Sequence, residues 1–519
     1  MEKKNGAIAI ASRLAKSGLL IGLAVAAGFL VMWATAVGPG TEQDSSTYVC
    51  AAQSLISEGA LYNCGSKWPM NHFPPLYPMM LGGGGLFGVA PLTFARWIGA
   101  ISCAASVILT GTILYAATSS LFIASIGELS IICVGDVAFR YLFAMTEGPF
   151  IAFMLLFIFS LWRSVDEDGS AWLVVAGGAA AAACLTRYMG ASFLVTGATV
   201  LLYLGTNPIK MRIRRAVTFV AIGGSLLAVW QIRNHIETRN ATDRVFGWHP
   251  LGQSELALGC TTVARWVYPP ISRQRAPWIG LILIIVGVVI LAAILWNNPG
   301  PLQWLLSNLI FANGALILLS GCLFDPLVRP HERMMGPILL STFILSLCVI
   351  SVNTRHTRPR MAWYSIEIAL ILAFLFVNGR ATGPILFESR VRGLGGTERY
   401  YADSDVIRWL RHLPANVPVY SDEPEEIRLF ADHSADTLPL LRDPLTRRPA
   451  KNFQRNLAAM QHALSDRPGA IVYFFKLNHW AQGNLPELTN MASVYHLSMK
   501  PVLMADQGII YEGRYAPTP

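Results

Sequence analysis

Charge is scarce in this sequence. Asp, Glu, Lys and Arg make up 14% of its 519 residues while 53% are hydrophobic, and mean hydropathy is +0.46. That is far more apolar surface than a soluble core of ordinary composition needs, so the chain reads as a membrane protein. Metal-site spacing is missing among the eight cysteines. Cys103, Cys133, Cys184, Cys322 and Cys348 lie in apolar runs and read as small buried residues. Internal repeats and low-complexity segments are lacking. The net charge of +9 comes without a basic face interleaved with aromatics, which excludes nucleic acid as a partner. The arginines fall in short loops between apolar runs, where positive-inside topology and anionic lipid headgroups account for them.

What is present is a series of apolar runs, judged against the roughly 17–25 residues that cross a bilayer. They lie at 17–38, 92–116, 119–137, 147–163, 171–186, 189–205, 216–232, 277–296, 302–323, 335–352 and 361–378. The first follows Lys3, Lys4, Arg13 and Lys16, which places the amino end in the cytoplasm. Thr35-Ala36-Val37-Gly38 offers the small residues of a signal cleavage site, but the run is long for a signal peptide and is taken as a retained span. About eleven spans send the carboxyl end across the membrane. Lys210, Arg212, Arg214 and Arg215 in one expected cytoplasmic loop agree, as do Arg355, Arg358 and Arg360 in another. Arg233, Arg239, Arg244, Arg265, Arg273 and Arg275 fall in the expected outer loop 233–276 and disagree, so either they are functional or one span is miscounted.

From about Gly379 the composition changes, and beyond Gly395 no run is long enough to span. Helical patterns at 403–412, 423–432, 451–465 and 485–491 alternate with β-rich runs VPVYS at 417–421, AIVYFF at 470–475, SVYHLS at 493–498 and GIIYEG at 508–513. The expected fold class is mainly α. A polytopic transmembrane helix bundle covers 1–380, with its first outer loop at 39–90, and a small C-terminal α/β soluble domain at 395–519 lies on the outer, extracytoplasmic side. That domain has no phosphate-loop glycine pattern and no metal spacing, and catalysis is not assigned to it.

The polar island TEQDSSTYVCAAQSLISEGALYNCGSKWPMNHFPPLYP at 41–78 interrupts the apolar series. Asp44 stands before Ser45, Ser46 and Thr47, where it reads as a helix N-cap. Tyr48, Ala52, Leu55 and Ile56 follow at helical spacing and Gly59 stops the helix. A second short element, opened by Pro74 and Pro75, carries Leu76, Tyr77, Met79 and Met80. Cys50 and Cys64 bracket the first helix on the oxidising side; whether they are bonded is open from sequence.

Ionisable residues expected near the outer face are Asp44, Asp136, Arg140, Glu147, Arg187, Arg233, Asp325, Arg329, His331, Glu332 and Arg333. A charge at such depth is costly and marks a functional site by default. Each has a plainer reading alone. Glu147 is a first-turn acid favoured by the helix dipole, Arg187 a snorkelling side chain, and the proline pair a helix start or turn. Glu128 lies mid-span and faces a helix partner.

Their order resembles a known plan. A first-loop acid, PPLYP, LFGVAPLTFARWIGA with Arg96, then MTEGPF, LTRYMG, WQIRN and PHERMMGP over residues 40–340 resemble the GT-C superfamily, integral-membrane glycosyltransferases that use polyprenyl-phosphate sugars. The likeness is to the bacterial branch with the aminoarabinose transferase and protein O-mannosyltransferases. It implies Asp44 as general base or acceptor-positioning residue and Glu147 as the second-loop acid. Arg187, Arg233 and Arg333 are implied at the donor phosphate, with Arg329 close by as a rival to Arg333. His72-Phe73 stands where that branch has a lysine before its proline pair, so His72 is the substitute phosphate ligand. Tyr48, Tyr77 and Tyr188 are taken as substrate-lining. The WWDYG signature of oligosaccharyltransferases is absent, which argues against transfer of a whole glycan to asparagine.

The resemblance implies an inverting transferase that moves a sugar from a polyprenyl-phosphate donor to a hydroxyl on a glycan, lipid or protein acceptor at the outer face of a bacterial plasma membrane. Membrane lipids are its surroundings. One carboxylate suffices, because the phosphate leaves as an anion that arginines stabilise. No cofactor is assigned, since no tight ligand cluster requires a metal, although a divalent cation shared by acids and lipid phosphate stays open. Two other classes stay open as well: a transporter or flippase of a polyprenyl-linked glycan, and a non-catalytic membrane assembly protein.

Overall fold

The computed structural model describes residues 2–64, 67–204, 207–244, 246–297, 299–324, 328–353, 360–442, 449–476 and 483–515, with side chains at all of these except 2–16 and 351–367. Asp325, Arg355 and Arg358 lie outside the described residues. The chain divides into two compact units: 1–36, 52–61 and 69–390 form the first, and 37–51, 62–68 and 391–519 the second.

In chain order the helices are α1 (Glu2–Ala34), α2 (Gln43–Glu58), α3 (Leu76–Gly83), α4 (Pro91–Thr118), α5 (Leu121–Cys133), α6 (Gly135–Ala138), α7 (Glu147–Asp166), α8 (Ser170–Thr186), α9 (Ala191–Tyr203), α10 (Ile209–Thr238), α11 (Gln253–Val267), α12 (Ala276–Trp296), α13 (Pro301–Leu323), α14 (Glu332–Asn353) and α15 (Arg360–Arg392). Among the described residues eight helices are long and apolar enough to cross a membrane, or nine if α5 and the segment Gly135–Tyr141, bent by 71° to each other, are counted as one span and not as a re-entrant loop. The remaining two expected spans are the shorter apolar helices Ser170–Thr186 and Tyr188–Tyr203. The stretch 233–276 is not an open loop, because α11 occupies much of it.

Within the first unit α1 packs on α4, α4 on α5 and α7, and α7 on α8. Phe157 of α7 stacks on Phe193 of α9 at 5.1 Å, and Phe219 of α10 approaches Phe157 at 6.0 Å; such aromatic contacts bury large apolar area and fix ring geometry. On α12, by contrast, Ile282 and Val289 face outward, as a lipid-facing helix requires. At the α5–α6 break Val134 is extended. The carbonyl of Cys133 beside it is satisfied by Thr382 Oγ1 of α15 at 2.8 Å, the kind of replacement partner a broken span needs away from water.

The second unit is a five-stranded sheet with helices on both faces. Its strands are β1 (Val419–Ser421), β2 (Asp436–Thr437), β3 (Gly469–Phe474), β4 (Leu497–Ala505) and β5 (Gly508–Tyr515), in the order β2-β1-β3-β5-β4. β1 runs parallel to β2 and β3, and β5 is antiparallel to β3 and β4. Its helices are α16 (Arg399–Ala402), α17 (Asp405–Leu410), α18 (Pro424–Phe430), α19 (Phe453–Asp466) and α20 (Met491–Tyr495). Side chains alternate faces along a strand. Val419, Ala470 and Val472 therefore meet Val406, Ile407 and Leu410 of α17 and Ile427 of α18. Tyr420 and Ile471 meet Leu457, Met460 and Leu464 of α19 on the other face. The SVYHLS run, expected as a strand, is instead the end of α20 and the start of β4. Met491 and Tyr495 bury one helical stripe there, and His496 at φ 53° turns the chain out of the helix.

Candidate functional site

Four charged side chains of the first unit stand where helices begin or break. Glu147 opens α7, Arg187 is the extended residue after α8, Arg333 lies in the first turn of α14, and Arg140 lies in the turn Phe139–Tyr141 that follows α6. Together with Met189 and Met334 they line one cavity. Non-helical backbone among membrane spans is tolerated where it borders a cavity, and half-helix ends there supply polar groups.

The geometry of this cluster is specific. Glu147 Oε1 accepts from both Arg187 Nη1 and Arg333 Nε. Arg187 Nη1 also donates to Thr146 Oγ1 at 2.8 Å, and its Nη2 lies 3.3 Å from the Met334 sulfur. Arg140 is held from behind, its Nε donating to the Asp136 carbonyl at 2.9 Å. Glu147 is 4% exposed, and its Oε2 is buried without a hydrogen-bond partner. His331, just ahead of α14, accepts the Arg333 backbone N–H at Nδ1, 3.2 Å away. Burial pushes His331 down to about 4; Glu332 opposes this, and Arg333, Arg140 and Arg187 add to it. A neutral imidazole is the form that can accept at Nδ1.

A second set of expected residues gathers around the loop 70–72, also in the first unit. Arg233 Nη1 donates to the Met70 carbonyl at 3.1 Å, and Arg233 pairs with Glu237 at 2.6 Å. Tyr188 donates to the Asn71 carbonyl at 3.3 Å, and Asn71 Nδ2 donates to Thr238 Oγ1 at 2.9 Å. His72 Nδ1 stands 3.7 Å from Asp243, and Arg244 lies over the Tyr188 ring, 5.8 Å from its centre. Arg329 reaches toward Glu255, at 4.0 Å. Tyr77 is buried in α3. Glu128 is fully buried, with both carboxyl oxygens lacking a hydrogen-bond partner.

Asp44 and Tyr48 belong to the second unit. Asp44 is not the cap of α2 but a residue of its first turn. Glu42 precedes the helix, and its N–H donates to the Oγ of Ser45, also in the first turn, at 3.0 Å; Asp44 is half-buried on the helix and Tyr48 is buried. Cys50 and Cys64 are joined in a disulfide. Among the described residues no group of three or more His, Cys, Asp or Glu is arranged to hold a metal ion.

The structure brings Glu147, Arg187 and Arg333 together and sets Arg233, His72 and Tyr188 around the loop 70–72. It places Arg140 in the same cluster as Glu147, Arg187 and Arg333, a residue marked in sequence only as a charge expected near the outer face.

The same arrangement of helices recurs in solved structures. ArnT from Cupriavidus metallidurans, bound to undecaprenyl phosphate, superposes with a TM-score of 0.60 at 12% identity over 95% of this chain and 98% of its own. The fold is that of the GT-C membrane glycosyltransferases. The mycobacterial arabinofuranosyltransferase AftD shares it with a TM-score of 0.55 at 12% identity, over 96% of this chain and 40% of that one. The oligosaccharyltransferase AglB of Archaeoglobus fulgidus, in complex with an inhibitory peptide and a dolichol-phosphate, shares it at 0.51 and 12% identity, over 88% of this chain and 69% of that one. No protein-family model matches the chain, and no curated protein matches it in sequence. The GT-C likeness is thus one of fold.

Proposed function

We propose that this chain is an inverting glycosyltransferase that moves a sugar from a polyprenyl-phosphate donor to a hydroxyl acceptor at the outer face of a bacterial plasma membrane. The observation that carries the reading is the cavity lined by Arg140, Arg187 and Arg333, with Glu147 binding two of them. Guanidiniums stay protonated and present paired donors that match phosphate oxygens. Pre-set by a buried carboxylate, they need little reorganisation as charge develops on the departing phosphate. The structures of ArnT with undecaprenyl phosphate and of AglB with a dolichol-phosphate hold ligands of the class proposed here.

In the proposed reaction the acceptor oxygen attacks the anomeric carbon from the face opposite the phosphate. The new carbon–oxygen bond forms as the bond to the phosphate oxygen breaks, which inverts the anomeric centre. Asp44 takes the hydroxyl proton. The phosphate leaves with the bonding electron pair as polyprenyl phosphate, and the arginines hold the added negative charge, so no protonating acid is required. Glu147 acts by orienting guanidiniums and not by moving a proton. His72 and Arg233 are assigned to the donor through the loop 70–72, with Tyr48, Tyr77 and Tyr188 as its lining.

The test is sugar transfer by the purified protein in detergent with a polyprenyl-phosphate-linked sugar. Asp44→Asn and Arg187→Ala should each lower turnover by about 100-fold or more, the scale of a lost base or charge-stabilising donor. Transfer at the wild-type rate by a folded Asp44→Asn protein would falsify Asp44 as the base. Because no sealed compartment is present, transfer in detergent also separates a transferase from a transporter.

A further inference from the structure

The second unit contains a buried acid cluster that the proposed chemistry does not use. The chain leaves β1 through Asp422 and Glu423 into α18, which carries Glu426; the three are 0%, 0% and 6% exposed. They sit at the carboxyl end of β1 beside that of β3. The connection from β1 leads to β2 on one side, and the chain then crosses back to β3 on the other. Open α/β sheets place ligands in the crevice at such a reversal. Here the chain itself reaches the crevice.

The acids are not equivalent. Both carboxyl oxygens of Asp422 accept from the Phe474 N–H at 3.0 Å, and Ser421 Oγ donates to Oδ1 at 3.1 Å. Glu426 Oε2, by contrast, is buried without a hydrogen-bond partner, as is Thr41 Oγ1. These two residues meet over Gly396, where an added Cβ would stand 2.6 Å from Glu426 Oε1 and 2.6 Å from Thr41 Oγ1. Gly395, at φ 57°, pairs with Thr41 in an isolated bridge so close that a Cβ there would stand 2.1 Å from the Thr41 carbonyl oxygen. The Gly396 N–H donates to that same oxygen at 3.1 Å, and Thr397 Oγ1 donates to the Pro39 carbonyl at 2.8 Å. Only Glu42 and Gln43 separate Thr41 from Asp44.

We propose that Glu426 is a positioning residue for Asp44: its carboxyl fills the notch formed by Thr41 and Gly396, seating the strap 39–51 on the C-terminal domain and so fixing where α2 begins. The catalytic part of this inference rests on Asp44 being the base; the seating does not.

The surroundings agree with an uncharged group. Burial holds Glu426 well above the ordinary carboxylate range, and Glu423, Glu425 and Asp422 push in the same direction. From α16, Tyr401 faces the cluster, while Arg399 is exposed and Glu398 pairs with Lys476. On α17, Asp405 and Arg408 pair with each other at 2.5 Å. Arg411 donates to the Phe430 carbonyl; Arg428 donates to that of Ala435 through Nη2, while its Nε is buried without a hydrogen-bond partner and its charge acts on Glu425. Ionised Glu426 would be a buried anion beside further carboxyl groups, which is costly.

The experiment is hydrogen exchange of the amides in 39–51, expressed as protection factors, at about pH 6 and pH 9 in wild type, Glu426→Gln and Glu426→Ala. Wild-type protection should be lost at the higher pH, because ionisation of Glu426 is linked to release of the strap. Glu426→Gln, uncharged at both, should keep its protection, and Glu426→Ala should lose it at both. Identical pH dependence in wild type and Glu426→Gln overturns the proposal, as does wild-type protection in Glu426→Ala; if the alanine protein fails to fold, the glutamine protein decides alone. Sugar transfer by the same proteins should lose kcat at alkaline pH with KM held in wild type but not in Glu426→Gln. An active Asp44→Asn protein would remove the catalytic reading and leave the exchange result standing, so the two failures are distinguishable.

Discussion

Arg333 donates through Nε to the same Glu147 oxygen that accepts from Arg187. One carboxylate at the start of α7 therefore sets the direction of two guanidiniums, one from the break after α8 and one from the first turn of α14. The side chains are 5%, 12% and 17% exposed, so solvent replaces little of what a substitution removes.

Glu147→Ala should destabilise the first unit by about 3–5 kcal/mol, the usual cost of leaving buried partners uncompensated. Glu147→Gln keeps the volume and one acceptor and should cost less. Thermal unfolding in detergent measures both. If Glu147 works by orienting arginines, Glu147→Gln should lose transfer activity without any change in the pH profile; loss of one limb of that profile would instead make Glu147 a proton-transfer group.

Arg187→Lys keeps the charge and one donor nitrogen in place of Nη1, which alone reaches both Thr146 Oγ1 and Glu147 Oε1, but it removes Nη2, which stands 3.3 Å from the Met334 sulfur. Lysine is a point charge and cannot present a second, coplanar nitrogen to a phosphate. Transfer should drop by roughly tenfold to 100-fold, less than for Arg187→Ala, where a charge-stabilising donor is lost outright. Equal activity in the lysine and wild-type proteins would show that charge alone is sufficient.

Much of this site was legible because charge in an apolar run is expensive. Glu147, Arg187 and Arg333 stood out on those grounds, and the structure gathers them. Arg140 was marked by the same argument, but its place beside them was not legible, because the bend that delivers it, at Val134–Gly135, carries no proline, and the run 119–137 reads as one straight span. α8 and α9 are apolar but short, and the interruption between them was visible only as LTRYMG. Asp44 reads as a cap by residue type, but the helix already begins at Gln43, and where the chain turns into it is not written in residue type. The SVYHLS run is β-rich by residue type, yet burial of Met491 and Tyr495 on one face outweighs that preference.

The disulfide between Cys50 and Cys64 joins two stretches of the second unit, 37–51 and 62–68, at a sequence separation of 14. Loops of this size are stabilised by about 3 kcal/mol on the chain-entropy account. Cys50→Ser with Cys64→Ser, or treatment with a thiol reductant, should lower the unfolding temperature and increase exchange at 39–51. Transfer activity should fall with the same reductant dependence; unchanged exchange after verified reduction would mean that the other strap contacts suffice.

The two units should respond to pH in opposite directions. His331 is lowered from 6.5 to about 4 by burial, so between those values the unfolded chain binds the proton more readily than the folded one. Stability of the first unit from this group is present above 6.5 and is lost as pH falls toward 4. Asp422 lies the other way: burial raises it well above 3.8 against the opposing Phe474 N–H bonds. The folded second unit then holds a proton that the unfolded chain releases, so stability is greatest below 3.8 and declines as pH rises toward the folded value. Denaturant unfolding followed by probes specific to each unit, across pH 4 to 9, separates the two slopes. His331→Gln should flatten the acid limb in the first unit and Asp422→Asn the alkaline limb in the second. A common slope in both units, unaffected by either substitution, would assign the pH dependence to net charge and not to these buried groups.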